Sequence, residues 1–101
     1  MEGYTDVLVD FVVALKYEDL PHGVIEQTKL FIADYYAASI AGYRVNKQFN
    51  RVAMSIIKEE GGAEQASILF EKKKYPVGNA AFMNAAYAHG ADMDDGNRKS
   101  A

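Results

Sequence analysis

The sequence predicts an all-α protein, a helical bundle with at most one short hairpin or extended connector around residues 66–77. Apolar residues recur at helical spacing over most of the 101 residues, and proline, glycine and asparagine stand where the periodic segments begin and end. Only one short segment combines β-forming residues with a polar turn. Half of the residues are apolar, so we expect residues 1–101 to form a single unit with one core.

The first two predicted helices are separated by Pro21. Thr5 is of a type that caps helix N-termini, and the first helix follows it with apolar residues at helical spacing: Val7, Leu8, Phe11, Val12 and Leu15. Proline is favoured in the first turn of a helix and disfavoured inside one, so Pro21 opens the second helix. Gly42 is a natural C-cap, and we expect the second helix to end there.

The second helix is apolar on nearly its whole circumference from Leu30 to Ala41. A helix that is apolar all round belongs inside a larger body, and the other predicted helices can hardly enclose it. We therefore expect this chain to be part of a longer polypeptide, the remainder of which packs against this helix.

The third helix is capped by Asn46, runs from Lys47 to Glu60 and stops at Gly61-Gly62. Its predicted inward residues are Phe49, Val52, Ala53, Ile56 and Ile57. The apolar run 66–70 and the turn 71–74 then fit a small hairpin. The three lysines of that turn could bind anions, but we favour the simpler role of keeping a tight turn soluble.

Pro76 opens the fourth helix, which is apolar and rich in alanine from Val77 to Ala88. Small side chains let two backbones approach closely. This composition is typical of a helix at the centre of a bundle.

Charge and composition exclude several classes of partner. The net charge is −3 and the basic residues are scattered, so we do not expect nucleic acid as a binding partner. There is no cysteine to form a disulfide or a thiolate metal site. The first residues are acidic, unlike a signal peptide, and the longest apolar stretch is too short to cross a bilayer. We therefore expect that the protein is not associated with a membrane and that it is located in the cytoplasm.

The strongest functional signal is the polar segment that directly follows the fourth helix and holds His89, Asp92, Asp94, Asp95 and Arg98. Carboxylates held close together resist simultaneous ionisation, and burial raises their pKa further, so one of them can act as a general acid or base near neutral pH. Asp92 is the first candidate, because the ring of His89, three residues earlier, could orient it. In helical geometry Asp95 would be its neighbour, whereas Asp94 would point away.

Other interpretations of these residues exist. A solvated helix C-terminus with surface acids explains the segment about equally well. Calcium binding by an EF-hand loop does not fit, because the glycine of that loop is its sixth residue, whereas Gly96 is fifth from Asp92, so we expect no metal. His89 and Asn84 could be satisfied core polar groups, and for Asn84 we prefer this structural role, because a buried amide among alanines needs hydrogen-bond partners.

Over almost the whole chain, these residues resemble the MmgE/PrpD family. Leu20-Pro21-x-x-Val24 is similar to the family's opening of its second helix, and Asp34 through Gly42 resembles its Leu-Asp-x-x-Gly-x-x-x-x-Gly helix. Ala80-Ala81-Phe82-Met83-Asn84-Ala85 followed by His89-x-x-Asp92-x-Asp94-Asp95 resembles its most recognisable signature. Ala37 stands where the family often has glycine, and Gly96 where some members have threonine.

The family includes 2-methylcitrate dehydratase, cis-aconitate decarboxylase and iminodisuccinate epimerase, which move a proton at a carbon beside a carboxylate on di- or tricarboxylate substrates. The resemblance implies that this chain is the N-terminal part of a helical bundle domain, which returning C-terminal helices complete. It also implies an active site in the cleft below a separate α/β lid domain, and a homodimer.

For the site, the resemblance implies acid/base or positioning work for Asp92, with His89, Asp95 and Arg98 supporting it or binding a small polycarboxylate. It implies no metal and no organic cofactor, and it implies that the 101-residue chain is inactive without the remainder of its polypeptide. The alternative from a different class is a non-catalytic helical interaction or scaffold module, which would be a stable monomer by itself.

Overall fold

The computed structural model describes residues 3–92 and confirms the all-α prediction. Its elements, in chain order, are α1 (Tyr4–Ala14), a short 3-10 helix (Tyr17–Asp19), α2 (His22–Val45), α3 (Lys47–Glu60), β1 (Ala66–Ser67), β2 (Lys74–Tyr75) and α4 (Val77–His89). The chain divides after Leu30, within α2, into two compact units, Met1–Leu30 and Phe31–Ala101.

In the first unit, α1 begins one residue before the predicted cap. Gly3 is the N-cap, and its N–H donates a hydrogen bond of 3.0 Å to the carboxylate of Asp6. This bond satisfies a backbone donor that the helix leaves unpaired, and it places a negative charge at the positive end of the helix dipole. The prediction of Thr5 as N-cap is therefore wrong, because Gly3 is the N-cap and Thr5 lies inside the first turn.

Pro21 directly precedes α2, as predicted, and its carbonyl accepts the N–H groups of Val24 and Ile25 at 3.0 and 3.2 Å. Farther along the helix, the prediction that Gly42 ends α2 is wrong. The helix continues to Val45, and Gly42 is buried within it. The carbonyl of Gly42 accepts the N–H of Asn46 at 3.1 Å, so the backbone at this point is still helical and needs no glycine cap.

The core of the second unit lies between α3, α4 and the hairpin. It consists of Met54, Ile57, Ile68, Tyr75, Ala80, Met83 and Tyr87. The strands β1 and β2 pair antiparallel, with Ala66 opposite Tyr75, which confirms the predicted hairpin. Below we call α3, the hairpin and α4 together the α3–α4 unit.

The bounds predicted for α3 are confirmed, and Gly61 ends it with a positive φ of 66°. The predicted inward face is partly wrong. Ile57 is buried, but Phe49, Val52 and Ile56 are about half exposed, and Asn50 and Met54 are buried instead. Asn50 can face inward because its Nδ2 donates to the carbonyls of Gly42 and Tyr43 at 3.1 and 3.3 Å. These bonds offset the cost of burying the donor half of the amide, whereas Oδ1 is buried without a hydrogen-bond partner among the described residues.

Candidate active site at the end of helix α4

Helix α4 is the element that leads into the candidate site, and its first turn is anchored to the hairpin. Pro76 precedes it, and the N–H of Val77 donates to Oε1 of Gln65 at 3.3 Å. Ala80, Met83 and Tyr87 recur at helical spacing and are buried in the core. The helix is thus held along one face from its first turn to its last.

Asn84 joins the middle of α4 to the hairpin. Its Oδ1 accepts the N–H of Leu69 at 2.9 Å, and its Nδ2 donates to the carbonyl of Ser67 at 3.0 Å. Its backbone carbonyl accepts the hydroxyl of Tyr35, on α2, at 3.3 Å. One residue therefore ties α4 to both the hairpin and α2.

At its C-terminal end, α4 stops at His89, and the chain turns through Gly90 to Asp92. The N–H of Asp92 donates to the carbonyl of His89 at 2.9 Å, and Asp92 has a positive φ of 52°. Aspartate tolerates this left-handed conformation better than most residues. The side chains of His89 and Asp92 are both exposed.

The turn at Asp92 bears on the expected position of Asp95. Asp95 was expected beside Asp92 if helical spacing continued, but the helix ends before Asp92. Asp95 and Arg98 themselves lie outside the described residues. The structure thus places the first two candidate residues, His89 and Asp92, on one exposed turn, joined by a backbone hydrogen bond.

Two glycines meet beside this turn, and we call their contact the glycine crossing (Gly42 and Gly90). A Cβ atom built on Gly42 would overlap the carbonyl oxygen of Tyr87 and would lie 3.3 Å from Cα of Gly90. A Cβ atom on Gly90 would lie 3.2 Å from Cα of Gly42. The backbones of α2 and the end of α4 are therefore in direct contact, which the small residues of α4 had suggested.

A groove of about 710 Å³, here called the polar groove, lies along α3 and is also lined by Tyr87 of α4. Its charged and aromatic lining residues include Tyr43, Lys47, Arg51, Lys58, Glu71 and Tyr87. Nζ of Lys58 lies 3.4 Å from Oε1 of Glu71. The other carboxylate oxygen of Glu71, Oε2, accepts a hydrogen bond from the hydroxyl of Tyr75. Burial, and next the charge of Glu71, raise the pKa of the Tyr87 hydroxyl to about 12.

The three cations of the polar groove were not predicted, because the basic residues looked scattered along the sequence. Lys47, Arg51 and Lys58 are spaced four and seven residues apart, which is the repeat of one helix face. That spacing was the available signal. Neither His89 nor Asp92 is among the lining residues of this groove.

A second, apolar groove of about 330 Å³ lies between α3 and α4. Its apolar lining residues are Phe49, Val52, Ala53, Ile56, Ile57 and Phe82. Several residues of α2 are also more than half exposed: Leu30, Phe31 and Ile32.

Within residues 3–92, no group of three acidic or histidine side chains is arranged to hold a metal ion. No helix in that range combines the length and hydropathy needed to cross a bilayer.

Comparison with known proteins gives one match. The MmgE/PrpD N-terminal domain matches residues 6–100, which is nearly the whole chain and includes the turn at His89 and Asp92. No curated protein and no solved structure matches this chain.

Proposed function

Because this chain belongs to the MmgE/PrpD family, whose members are in general dehydratase-like enzymes, we propose that it forms part of the active site of a lyase or isomerase. The reaction is proton transfer at a carbon next to a carboxylate, on a small di- or tricarboxylate substrate. The observation that carries the proposal is the match of the family's N-terminal domain over residues 6–100.

Asp92 is the proposed catalytic residue. Its carboxylate is exposed on the turn after α4, where a substrate can reach it, and the backbone bond to His89 limits where the turn can go. A carboxylate that removes or delivers a proton must lie within hydrogen-bond reach of the reacting carbon, so a fixed turn is a suitable support. His89, Asp95 and Arg98 are proposed to support Asp92 or to bind a substrate carboxylate, for which a guanidinium offers two parallel donors.

The exposed apolar surfaces support the proposal that the chain works within a larger protein. The apolar groove and the exposed apolar residues of α2 would both face water in an isolated domain. We infer that the remainder of the same polypeptide covers them, and that the whole enzyme is a cytoplasmic homo-oligomer. The alternative, a non-catalytic scaffold module, would place a different protein on the same surfaces.

The experiment uses the protein that carries this chain and follows turnover by NMR in D2O, as loss of substrate, formation of product and incorporation of deuterium. The substrates are 2-methylcitrate, cis-aconitate and iminodisuccinate, because each has a carbon next to a carboxylate at which a proton moves. Asp92→Asn should lower turnover by roughly 10²–10⁴-fold, which is the usual contribution of a general acid or base, with the melting temperature unchanged. Asp10→Asn, at an exposed position of α1, is the matched control and should leave turnover unchanged.

Wild-type turnover in Asp92→Asn would remove Asp92 from catalysis. If the wild-type protein shows neither substrate loss nor deuterium incorporation with any of the three substrates, the proposed reaction is refuted and the scaffold module is favoured.

A further inference from the structure

The glycine crossing is the point at which α2 touches the end of α4, two residues before Asp92. At Gly42 the contact is backbone against backbone: an added Cβ would overlap the Tyr87 carbonyl oxygen and approach its carbonyl carbon to 2.9 Å. A carbonyl group inside a helix cannot move away as the end of a flexible side chain can. Any side chain at Gly42 must therefore displace α2 or the last turn of α4.

On the α2 side, the crossing is held in place by α3. Asn50 is buried, and its Nδ2 donates to the carbonyls of both Gly42 and Tyr43. Because one amide holds two successive carbonyls, the end of α2 cannot slide past α3 without losing both hydrogen bonds. A displacement at the crossing would therefore cost α2 these two hydrogen bonds, and any displacement that α2 does not take up falls on the last turn of α4.

On the α4 side, a displacement caused by a side chain at Gly42 would reach the candidate site through backbone hydrogen bonds. The N–H of Gly90 donates to the carbonyl of Tyr87 at 3.3 Å, and the N–H of Asp92 donates to the carbonyl of His89 at 2.9 Å. A shift of the Tyr87 carbonyl therefore moves the turn that carries Asp92. Gly90 has an ordinary helical φ of −60°, so its conformation does not require glycine. An added Cβ would, however, lie 3.2 Å from both Cα of Gly42 and the carbonyl oxygen of Ala86, which favours glycine at this position.

From this geometry we propose that Gly42 is a positioning residue, which acts through Gly90 to fix the location of the Asp92 carboxylate relative to the substrate. The inference rests on the proposed function, since it assigns Gly42 a role in the same reaction. Its consequence is that a methyl group at Gly42 impairs proton transfer without touching the substrate.

The test compares kcat and KM in the D2O assay for Gly42→Ala, Asp92→Asn and the double variant. Misplacing a reacting group by about 1 Å can cost roughly 10²-fold in rate, so Gly42→Ala should lower kcat by roughly 10–100-fold with KM unchanged. In the Asp92→Asn background the same change should cost nothing further, because two residues that act through one group have non-additive effects. A merely structural role for Gly42 would lower activity in both backgrounds.

The matched control is Gly23→Ala, in the same helix, where an added Cβ meets nothing within 4 Å, and its kcat should equal that of the wild type. If Gly42→Ala does not fold, Gly90→Ala provides the same test from the other side of the crossing with milder contacts. The inference is overturned if a folded Gly42→Ala or Gly90→Ala variant keeps wild-type kcat, or if its loss multiplies with that of Asp92→Asn. Wild-type turnover in Asp92→Asn alone would instead identify the proposed function as the part that failed.

Discussion

The link between the hairpin and α4 through Asn84 makes a quantitative prediction. Asn84→Ala removes the acceptor of the Leu69 N–H and the donor to the Ser67 carbonyl, at 2.9 and 3.0 Å. Each intramolecular hydrogen bond contributes about 0.5–1.5 kcal/mol net, so the two together contribute about 1–3 kcal/mol to the free energy of unfolding. Alanine also favours the helix more than asparagine does, by up to about 0.7 kcal/mol, which hides part of the loss.

A matched variant separates the two effects. Asn79→Ala changes the same residue type in α4, and Asn79 makes only a long bond of 3.4 Å to Glu60. The difference between the two variants in urea-induced unfolding should therefore be about 1–3 kcal/mol, with Asn84→Ala the less stable. Amide hydrogen exchange provides an independent measure, because the Leu69 N–H should exchange roughly 5–150-fold faster in Asn84→Ala.

The reasoning is refuted if Asn84→Ala is no less stable than Asn79→Ala, or if the exchange rate of the Leu69 amide does not change. Asn84→Asp refines the result. It keeps an acceptor for Leu69 but loses the donor to Ser67, so it should protect the Leu69 amide better than Asn84→Ala does.

Two further predictions concern pH and backbone conformation. The pKa of Tyr87 is raised to about 12 in the folded protein from 10.0, so the stability that its neutral hydroxyl contributes is complete below pH 10 and is lost as pH rises from 10 to 12. Urea midpoints measured across this range should fall more steeply for the wild type than for Tyr87→Phe, and equal slopes would contradict the assignment. Gly61 has a φ of 66°, so Gly61→Ala should lower the free energy of unfolding by about 1–3 kcal/mol, whereas Gly23→Ala should raise it by up to about 1 kcal/mol. Equal melting temperatures for these two variants would show that the conformation at Gly61 is not required.

Most of the fold could be predicted from the sequence because its elements are marked by local chemistry. Pro21 and Pro76 precede α2 and α4, and Asn46 and Gly61 bound α3, as expected. These residues act through their own backbone preferences, which do not depend on distant parts of the chain.

The errors occur where a tertiary contact overrides a local preference. Glycine often ends a helix, but Gly42 lies inside α2. A side chain at this position would overlap the backbone of α4, so the contact requires glycine. Asn50 would be placed outside by polarity alone, yet two carbonyls of α2 hold it inside and leave Phe49 exposed. Such contacts join elements far apart in the sequence, so helical periodicity cannot identify them.

The candidate site shows the same division. The order His89, Asp92, Asp94 is local and marks the segment, and α4 ends within one residue of its predicted end, but the positive φ of Asp92 was not predicted. Helical spacing between Asp92 and Asp95 was the natural assumption after an alanine-rich helix. The positions of Asp95 and Arg98 stay predictions, since both residues lie outside the described part of the chain.

The way Asn84 joins the hairpin to α4 has a consequence for the order of folding during synthesis. Its side-chain bonds span only 15 and 17 residues of sequence, and all of the α3–α4 unit lies between Lys47 and His89. Contacts between residues close in sequence form quickly, because little loop entropy is lost in closing them. We therefore expect the α3–α4 unit to assemble soon after it leaves the ribosome, so that the turn carrying Asp92 gains its support early in folding.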